Sequence, residues 1–177
     1  METKKEMRKR LIEMRSAIPA QYRASKSGRI CSAVLSSDIY RESGTLYGFV
    51  PYREEVDVWP LLMEAIRDGK KVAVPRIDGD DMNFYYISGE EDLETGFKGI
   101  REPKSYTEKA DAKMPLIIAP GVAFTKDGYR MGYGKGYYDK YLASHPSYVL
   151  GVCFEEQIMP EIPLSETDYR LNGIVWF

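Results

Sequence analysis

Histidine is nearly absent from this sequence, occurring once, at position 145. His145 follows Ala143-Ser144 and precedes Pro146, at an expected helix end, where a cation beside the last carbonyls is an ordinary role. A serine or cysteine nucleophile activated by histidine is therefore not expected. Cysteine is almost as scarce. Cys31 and Cys153 lie far apart and form neither a CxxC pair nor a zinc spacing, which argues against a secreted disulfide scaffold and predicts two small buried hydrophobes. No apolar run approaches the length of a membrane helix, and the first residues, METKKEMR, lack the apolar core of a secretory signal. The expected location is the cytoplasm, with no membrane partner. A surplus of charge of one sign is missing too. With 25 basic against 27 acidic residues and a net charge of -2, a polybasic nucleic-acid surface is not expected, and any basic site must be local.

What the sequence does contain is an ordinary globular composition, 44% hydrophobic and 29% charged over 177 residues, enough for one domain spanning 1–177. Met7, Leu11, Met14 and Ile18 recur at helical spacing until Pro19 ends the pattern. At about 100° per residue, Lys4, Arg8 and Arg15 fall within roughly 40° of one another along one border of that stripe. Such a row is usually a solvated edge. Docking the stripe onto the body would instead turn it toward a common anion, and spacing alone leaves both readings open. A second helix is expected over Ala20–Ser36. Gly44–Pro51 reads as a buried strand, followed by the polar loop Tyr52-Arg53-Glu54-Glu55. Asp57 can cap a third helix that carries Trp59, Leu62, Met63 and Ile66 and ends at Gly69. Lys71–Pro75 is the next strand, so the order is β-α-β and favours an α/β fold with a parallel sheet. Met82–Ser88 follows a tight turn as another strand. The polar stretch 89–114 has no clean period and reads as a long surface connection. Pro115–Ala119 is expected to feed a glycine loop, Tyr137–Ser144 to form a helix, and Tyr148–Phe154 and Gly173–Phe177 to form two more strands.

The glycine loop concentrates most of the chemistry. Phe124–Asp139 holds four glycines, three cations and a closing carboxylate directly after the apolar run Leu116–Ala119. Glycines let backbone N–H groups approach a ligand closely. Arg130 and Lys135 add positive charge, whereas Lys126 reads as a surface cation. Asp139 is a hard oxygen ligand of the kind that holds magnesium beside phosphates. Neither GxxxxGK[ST] nor GxGxxG is present, because Gly132, Gly134 and Gly136 run as GxGxG. The stretch therefore points to a nucleotide handled by a loop of another kind. Turn glycines followed by core tyrosines are the plain alternative. Asp139 as a first-turn helix charge, Asp168 as a turn residue and Glu55 as a loop acid are equally ordinary readings of those positions.

Pro120-Gly121-Val122-Ala123-Phe124, Gly128 and the run RMGYGKGYYD over Arg130–Asp139 resemble the signature of the 5-formyltetrahydrofolate cyclo-ligase, or methenyltetrahydrofolate synthetase, family. Weaker elements follow in the family's order: Lys4 and Arg8; Pro51 with Glu54-Glu55-Val56-Asp57; Gly69–Arg76; Ile100–Pro103; Gln157–Pro163 and Asp168. The resemblance implies a three-layer α/β/α domain with a mainly parallel central sheet. It implies ATP-dependent conversion of 5-formyltetrahydrofolate to 5,10-methenyltetrahydrofolate by a monomer, with Mg2+ as cofactor and ATP as co-substrate. Position by position, it implies that Lys4 and Arg8 contact ATP. Arg130, Met131, Gly132, Tyr133, Gly134, Lys135, Gly136, Tyr137 and Tyr138 would wrap the phosphates, with Lys135 and Arg130 as the catalytic cations. Asp139 and Asp168 would hold magnesium. Val50, Glu55, Tyr133, Gly134, Lys135, Gly136 and Tyr137 would contact the reduced folate; the 89–114 stretch aligns too loosely to assign a pterin-stacking aromatic, although Phe97 or Tyr106 could serve. Two positions depart from the common pattern. Met131 stands where leucine is frequent, and Lys135 where many bacterial members carry glycine. Arg15 matches no role in the family. Other α/β enzymes of phosphorylated or acyl-CoA substrates, and a non-catalytic binder of nucleotide, folate or RNA, remain as rival readings.

Overall fold

The computed structural model describes residues 2–177. Helix α1 (Lys4–Ser16) begins where Thr3 and Glu6 cap each other: the Glu6 N–H donates to the Thr3 hydroxyl, and the Thr3 N–H donates to the Glu6 carboxylate. Pro19 separates it from α2 (Ala20–Leu35), which buries Ile30, Cys31 and Val34. A five-residue helix, α3 (Asp38–Glu42), starts from the Ser37 hydroxyl. It was not expected from the sequence, because five residues carry too little periodicity to register. Next come β1 (Thr45–Tyr47) and α4 (Trp59–Arg67). The Asp57 carboxylate accepts from the Trp59 N–H at 3.1 Å at the start of α4, and Gly69, at φ 81°, closes its far end. Strands β2 (Lys71–Asp78) and β3 (Asp81–Ile87) form a hairpin.

The 89–114 stretch is not a plain surface connection. It holds an antiparallel pair, β4 (Leu93–Thr95) and β5 (Arg101–Pro103), and then runs beside β3, where the Tyr86 and Ala110 N–H groups donate to Glu108 and Phe84 carbonyls. Backbone pairing with little apolar burial orders this segment, so its sequence shows no period. After β6 (Leu116–Ala119) come two-residue strands β7 (Ala123–Phe124) and β8 (Arg130–Met131), then α5 (Tyr137–Ser144), β9 (Tyr148–Cys153) and β10 (Gly173–Trp176). The glycine loop is thus delivered by β8 of a small hairpin and not directly by β6, a correction that two-residue strands could not have signalled.

One six-stranded sheet runs β10-β9-β6-β1-β2-β3, parallel except for β3. Alternation sorts its faces. Leu46, Val72, Leu116, Ile118 and Val152 pack toward α2 and α4, while Tyr47, Ala73, Ile117, Val149 and Cys153 pack toward Tyr141 and Leu142 of α5. The result is the expected three-layer α/β domain. The strand expected over 44–51 pairs only at Thr45–Tyr47. Beyond it the chain leaves the sheet as extended backbone and becomes the loop bearing Val50 and Glu55. Both cysteines are free and buried, and burial pushes the Cys31 thiol up to about 11. His145 closes α5, with its ring 3.9 Å from the Tyr141 ring. Among the described residues no helix is long and apolar enough to cross a membrane.

The topology itself marks a place for a ligand. From β1 the chain moves to neighbouring β2 through α4, on one face; from β6 it moves the opposite way to β9 through α5, on the other. Adjacent parallel strands β1 and β6 therefore open a crevice beyond their carboxyl ends, where ligands bind in open α/β sheets.

Candidate functional site

Three segments meet at that crevice. Residues 48–58 follow β1, the glycine loop 132–136 follows β8, and α1 lies across both. Helix α1 is held by a small apolar cluster in which Met7 and Leu11 pack on Val122, Ala123, Met131 and Ile162. Once that stripe is seated, its cationic border has only one direction to face. Arg8 Nε donates to the Gly132 carbonyl at 2.8 Å, and Lys4 Nζ lies 3.4 Å from Asp168 Oδ2. Arg15 Nη2 donates to the Tyr133 hydroxyl at 2.9 Å. The row is therefore not a solvated edge.

Within the loop, Gly134 sits at φ 106° and Gly136 at φ 69°, in a region that costs an L-residue free energy and glycine nothing. Gly136 is the N-cap of α5, and no side chain caps that helix. Its first N–H groups and the positive end of its dipole are left for an anion. Lys135 is exposed on the loop. Met131, Tyr137 and Tyr138 direct their side chains into apolar packing, so what they can offer a phosphate is backbone.

Arg130 lies beneath the loop, only 5% exposed. Its Nη1 donates to the Pro120 carbonyl at 3.2 Å, its Nη2 is 3.7 Å from Asp139 Oδ1, and its guanidinium lies 4.9 Å from the Tyr138 ring centre. Arg130 Nε and the Tyr138 hydroxyl are buried without a hydrogen-bond partner. Burial weakens the hold of Arg130 on its proton and Asp139 opposes this, while burial also raises the Tyr138 hydroxyl. A guanidinium stays charged under such pressure. Asp139 Oδ1 also accepts the Tyr169 N–H at 3.1 Å, which ties α5 to the segment bearing Asp168. Burial would raise the Asp168 carboxyl, but bonds from Ser165 and Lys4 outweigh it and hold the group below its ordinary value.

On the opposite wall, Val50 packs against the first core and Glu55 is half-buried. Glu55 Oε2 accepts the Tyr52 N–H at 3.0 Å, and Oε1 accepts the Tyr133 hydroxyl at 2.8 Å. Burial raises the Glu55 carboxyl above its ordinary value despite Tyr52, Tyr133 and Arg15. Lys4, Arg8, the 130–139 run, Asp168, Val50 and Glu55 thus lie on or beside these segments. Phe97 and Tyr106 are 70% and 66% exposed on the outer 89–114 segment, and only the Phe97 loop touches this region, where Tyr52 donates to the Lys98 carbonyl at 3.2 Å. The connection Arg15–Tyr133–Glu55 was not foreseen. The signal for it was the shared helical face of Arg15, Arg8 and Lys4.

Among the described residues no three histidine, cysteine or carboxylate groups cluster as a complete metal cage. The chemistry of the donors present suits magnesium all the same. Two hard carboxylates, Asp139 and Asp168, flank a phosphate-type loop, and magnesium commonly takes one or two carboxylates and fills its remaining positions with phosphate and water.

A model of the 5-formyltetrahydrofolate cyclo-ligase family matches residues 1–176. The 5-formyltetrahydrofolate cyclo-ligase of Mus musculus is 28% identical over 192 residues, covering 98% of this chain and 93% of its own. A Schizosaccharomyces pombe relative is 33% identical over 171 residues, covering 85% of this chain and 83% of its own. Among solved structures, the Aquifex aeolicus 5,10-methenyltetrahydrofolate synthetase superposes with a TM-score of 0.87 at 29% identity, covering 98% of this chain and 89% of that one.

Proposed function

The chain belongs to the 5-formyltetrahydrofolate cyclo-ligase family, and on that premise we propose that it converts 5-formyltetrahydrofolate to 5,10-methenyltetrahydrofolate while ATP becomes ADP and phosphate. One observation carries the ATP requirement. The cations of α1, the glycine loop and the uncapped start of α5 converge beside two carboxylates at the switch point of the sheet, a site built for a polyphosphate.

The chemistry needs little more than that. A formyl oxygen bound to carbon beside N5 is an amide oxygen and leaves poorly. Transfer of the γ-phosphoryl to it releases ADP and makes a phosphate leaving group. N10 then attacks the formyl carbon, its proton departs, and phosphate carries the oxygen away. Such transfers ask the protein for positioning and charge neutralisation. Loop N–H groups orient the phosphates, and Lys4 and Arg8 hold the outer edge. Lys135 stands free to follow the transferring group. Arg130 contributes its field from below and keeps Asp139 in place. Asp139 and Asp168 would hold Mg2+, which supplies neutralisation of phosphate charge. Glu55 and Val50 form the folate wall. No step calls for a histidine base, in keeping with the remote place of His145.

The test mixes the protein with 5-formyltetrahydrofolate and Mg-ATP, follows the near-ultraviolet band of the methenyl product and assays ADP. ATP-dependent growth of the band with matching ADP is expected. A folded protein that forms no band, or forms it equally well without ATP, would overturn the proposal.

A further inference from the structure

Arg15 is the one cation of the α1 row for which the proposed reaction has no use, and it is also the most buried, at 3% exposure. A guanidinium withdrawn from water is costly unless opposite charge or full hydrogen bonding compensates it. Arg15 has neither in direct reach. Its Nε carries no hydrogen bond, and its Nη1 meets the Gly121 carbonyl only at 3.4 Å. Its good bond is the one from Nη2 to the Tyr133 hydroxyl at 2.9 Å. That hydroxyl has a single proton, which it gives to Glu55 Oε1 at 2.8 Å. The negative charge that answers Arg15 is therefore Glu55, reached through a phenol that accepts on one side and donates on the other. Chains of this kind polarise and strengthen one another.

The relay joins three separate segments: α1, the glycine loop and the loop after β1. Glu55 has both carboxylate oxygens engaged by protein donors, from Tyr133 and from the Tyr52 N–H at 3.0 Å, yet each oxygen retains further acceptor capacity. A carboxylate fixed in this way accepts only, so it matches a ligand edge that presents N–H donors. In a reduced folate that edge belongs to the pterin ring; the glutamyl end is anionic and would be repelled.

We infer that Arg15 is a positioning residue which, through the Tyr133 hydroxyl, sets the orientation of Glu55 for the donor edge of the pterin. The inference rests on the cyclo-ligase reading. Tyr133 contributes its hydroxyl to this relay and its backbone to the phosphate loop, so the two substrate walls share one residue.

The test measures steady-state kinetics and the calorimetric Kd for 5-formyltetrahydrofolate in the parent, in Tyr133→Phe, in Arg15→Met and in the double variant. Tyr133→Phe keeps the ring and removes only a hydroxyl on a residue that is 46% exposed, so it remains informative even where loss of the buried Arg15 impairs folding. Each single variant is expected to weaken folate binding about tenfold while the KM for ATP stays within about twofold, the size of a lost bond to a charged group. The double variant is expected to be no worse than the poorer single one, because both break the same chain. Arg15→Lys restores charge without the planar fork and is expected to recover only part of the affinity. A parent-like folate Kd in Tyr133→Phe, full additivity in the double variant, or equal losses for ATP and folate would overturn the relay while leaving the cyclo-ligase reading intact. A parent protein that binds no reduced folate would remove that reading and the relay with it.

Discussion

Lys135 and Arg130 stand five positions apart, one exposed on the loop and the other walled in beneath it. In the proposed reaction charge would move between ADP and the formyl oxygen, and an exposed ammonium is the cation free to follow it. Lys135→Ala is accordingly expected to lower kcat by about a hundredfold, the usual loss for one donor aimed at developing charge, with folate affinity nearly unchanged. Unchanged turnover would show the lysine dispensable. Glu55 leads to a pH dependence. Its carboxyl is raised by burial, opposed by the Tyr52 N–H, the Tyr133 hydroxyl and the Arg15 charge, with Tyr138 nearby on α5. A raised carboxyl takes up its proton at higher pH than a free one does. Folate affinity should therefore begin to fall, as pH drops, while ordinary surface carboxylates are still ionised. Folate Kd measured across the acid range checks this, and in Glu55→Gln that limb should vanish along with much of the affinity. A limb that survives in Glu55→Gln belongs to another group.

At the scale of elements, α1 carries Lys4, Arg8 and Arg15 to the candidate site. It is seated by a satellite cluster apart from the two main cores, with Leu11 fully buried at its centre. Leu11→Ala should cost about 2–5 kcal/mol at that contact. Part of this loss should appear as undocking of the helix, so the KM for ATP rises through Lys4 and Arg8 and that for folate through Arg15, while the two main cores stay folded. Limited proteolysis near Pro19 together with a melting curve reads both effects; an unaltered ATP KM would separate α1 from the nucleotide. The same helix shows what could be read from residues alone. Its stripe and its cationic row were legible because both follow the helical period. Whether the row met solvent or anion depended on Val122, Met131 and Ile162, far away in the chain, and no local pattern carries that information. Strands β1, β2, β6 and β9 were legible as short apolar runs, since central parallel strands are buried on both faces. The β7–β8 and β4–β5 pairs were not, because two or three residues ordered by backbone bonds leave no periodic trace. The glycine run and its acids were legible as chemistry, and their relation to Glu55 and Arg15 only as geometry.

For the whole molecule, the site lies outside the sheet yet draws on both of its faces. Segment 48–58 continues a strand whose crossover packs on one layer, and α5 belongs to the other. A nucleotide bound there bridges segments that the cores hold separately, so its binding energy should appear as stability of the entire fold. A ligand at about a hundred times its Kd adds about 2.7 kcal/mol. In a chain of 177 residues that is about 5–10 °C in Tm. Mg-ADP is expected to raise Tm by this order, and chelation of magnesium to withdraw most of the gain, since ADP alone would meet Asp139 and Asp168 as unscreened like charges. Asp139→Asn removes one of those charges while its side-chain oxygen can still accept the Tyr169 N–H. Its magnesium titration of the Tm shift should therefore move to higher concentration, and ADP without metal should bind no worse than to the parent. Superimposable magnesium titrations for Asp139→Asn and the parent would take Asp139 out of the metal site and leave it as a clamp between Arg130 and the Tyr169 backbone.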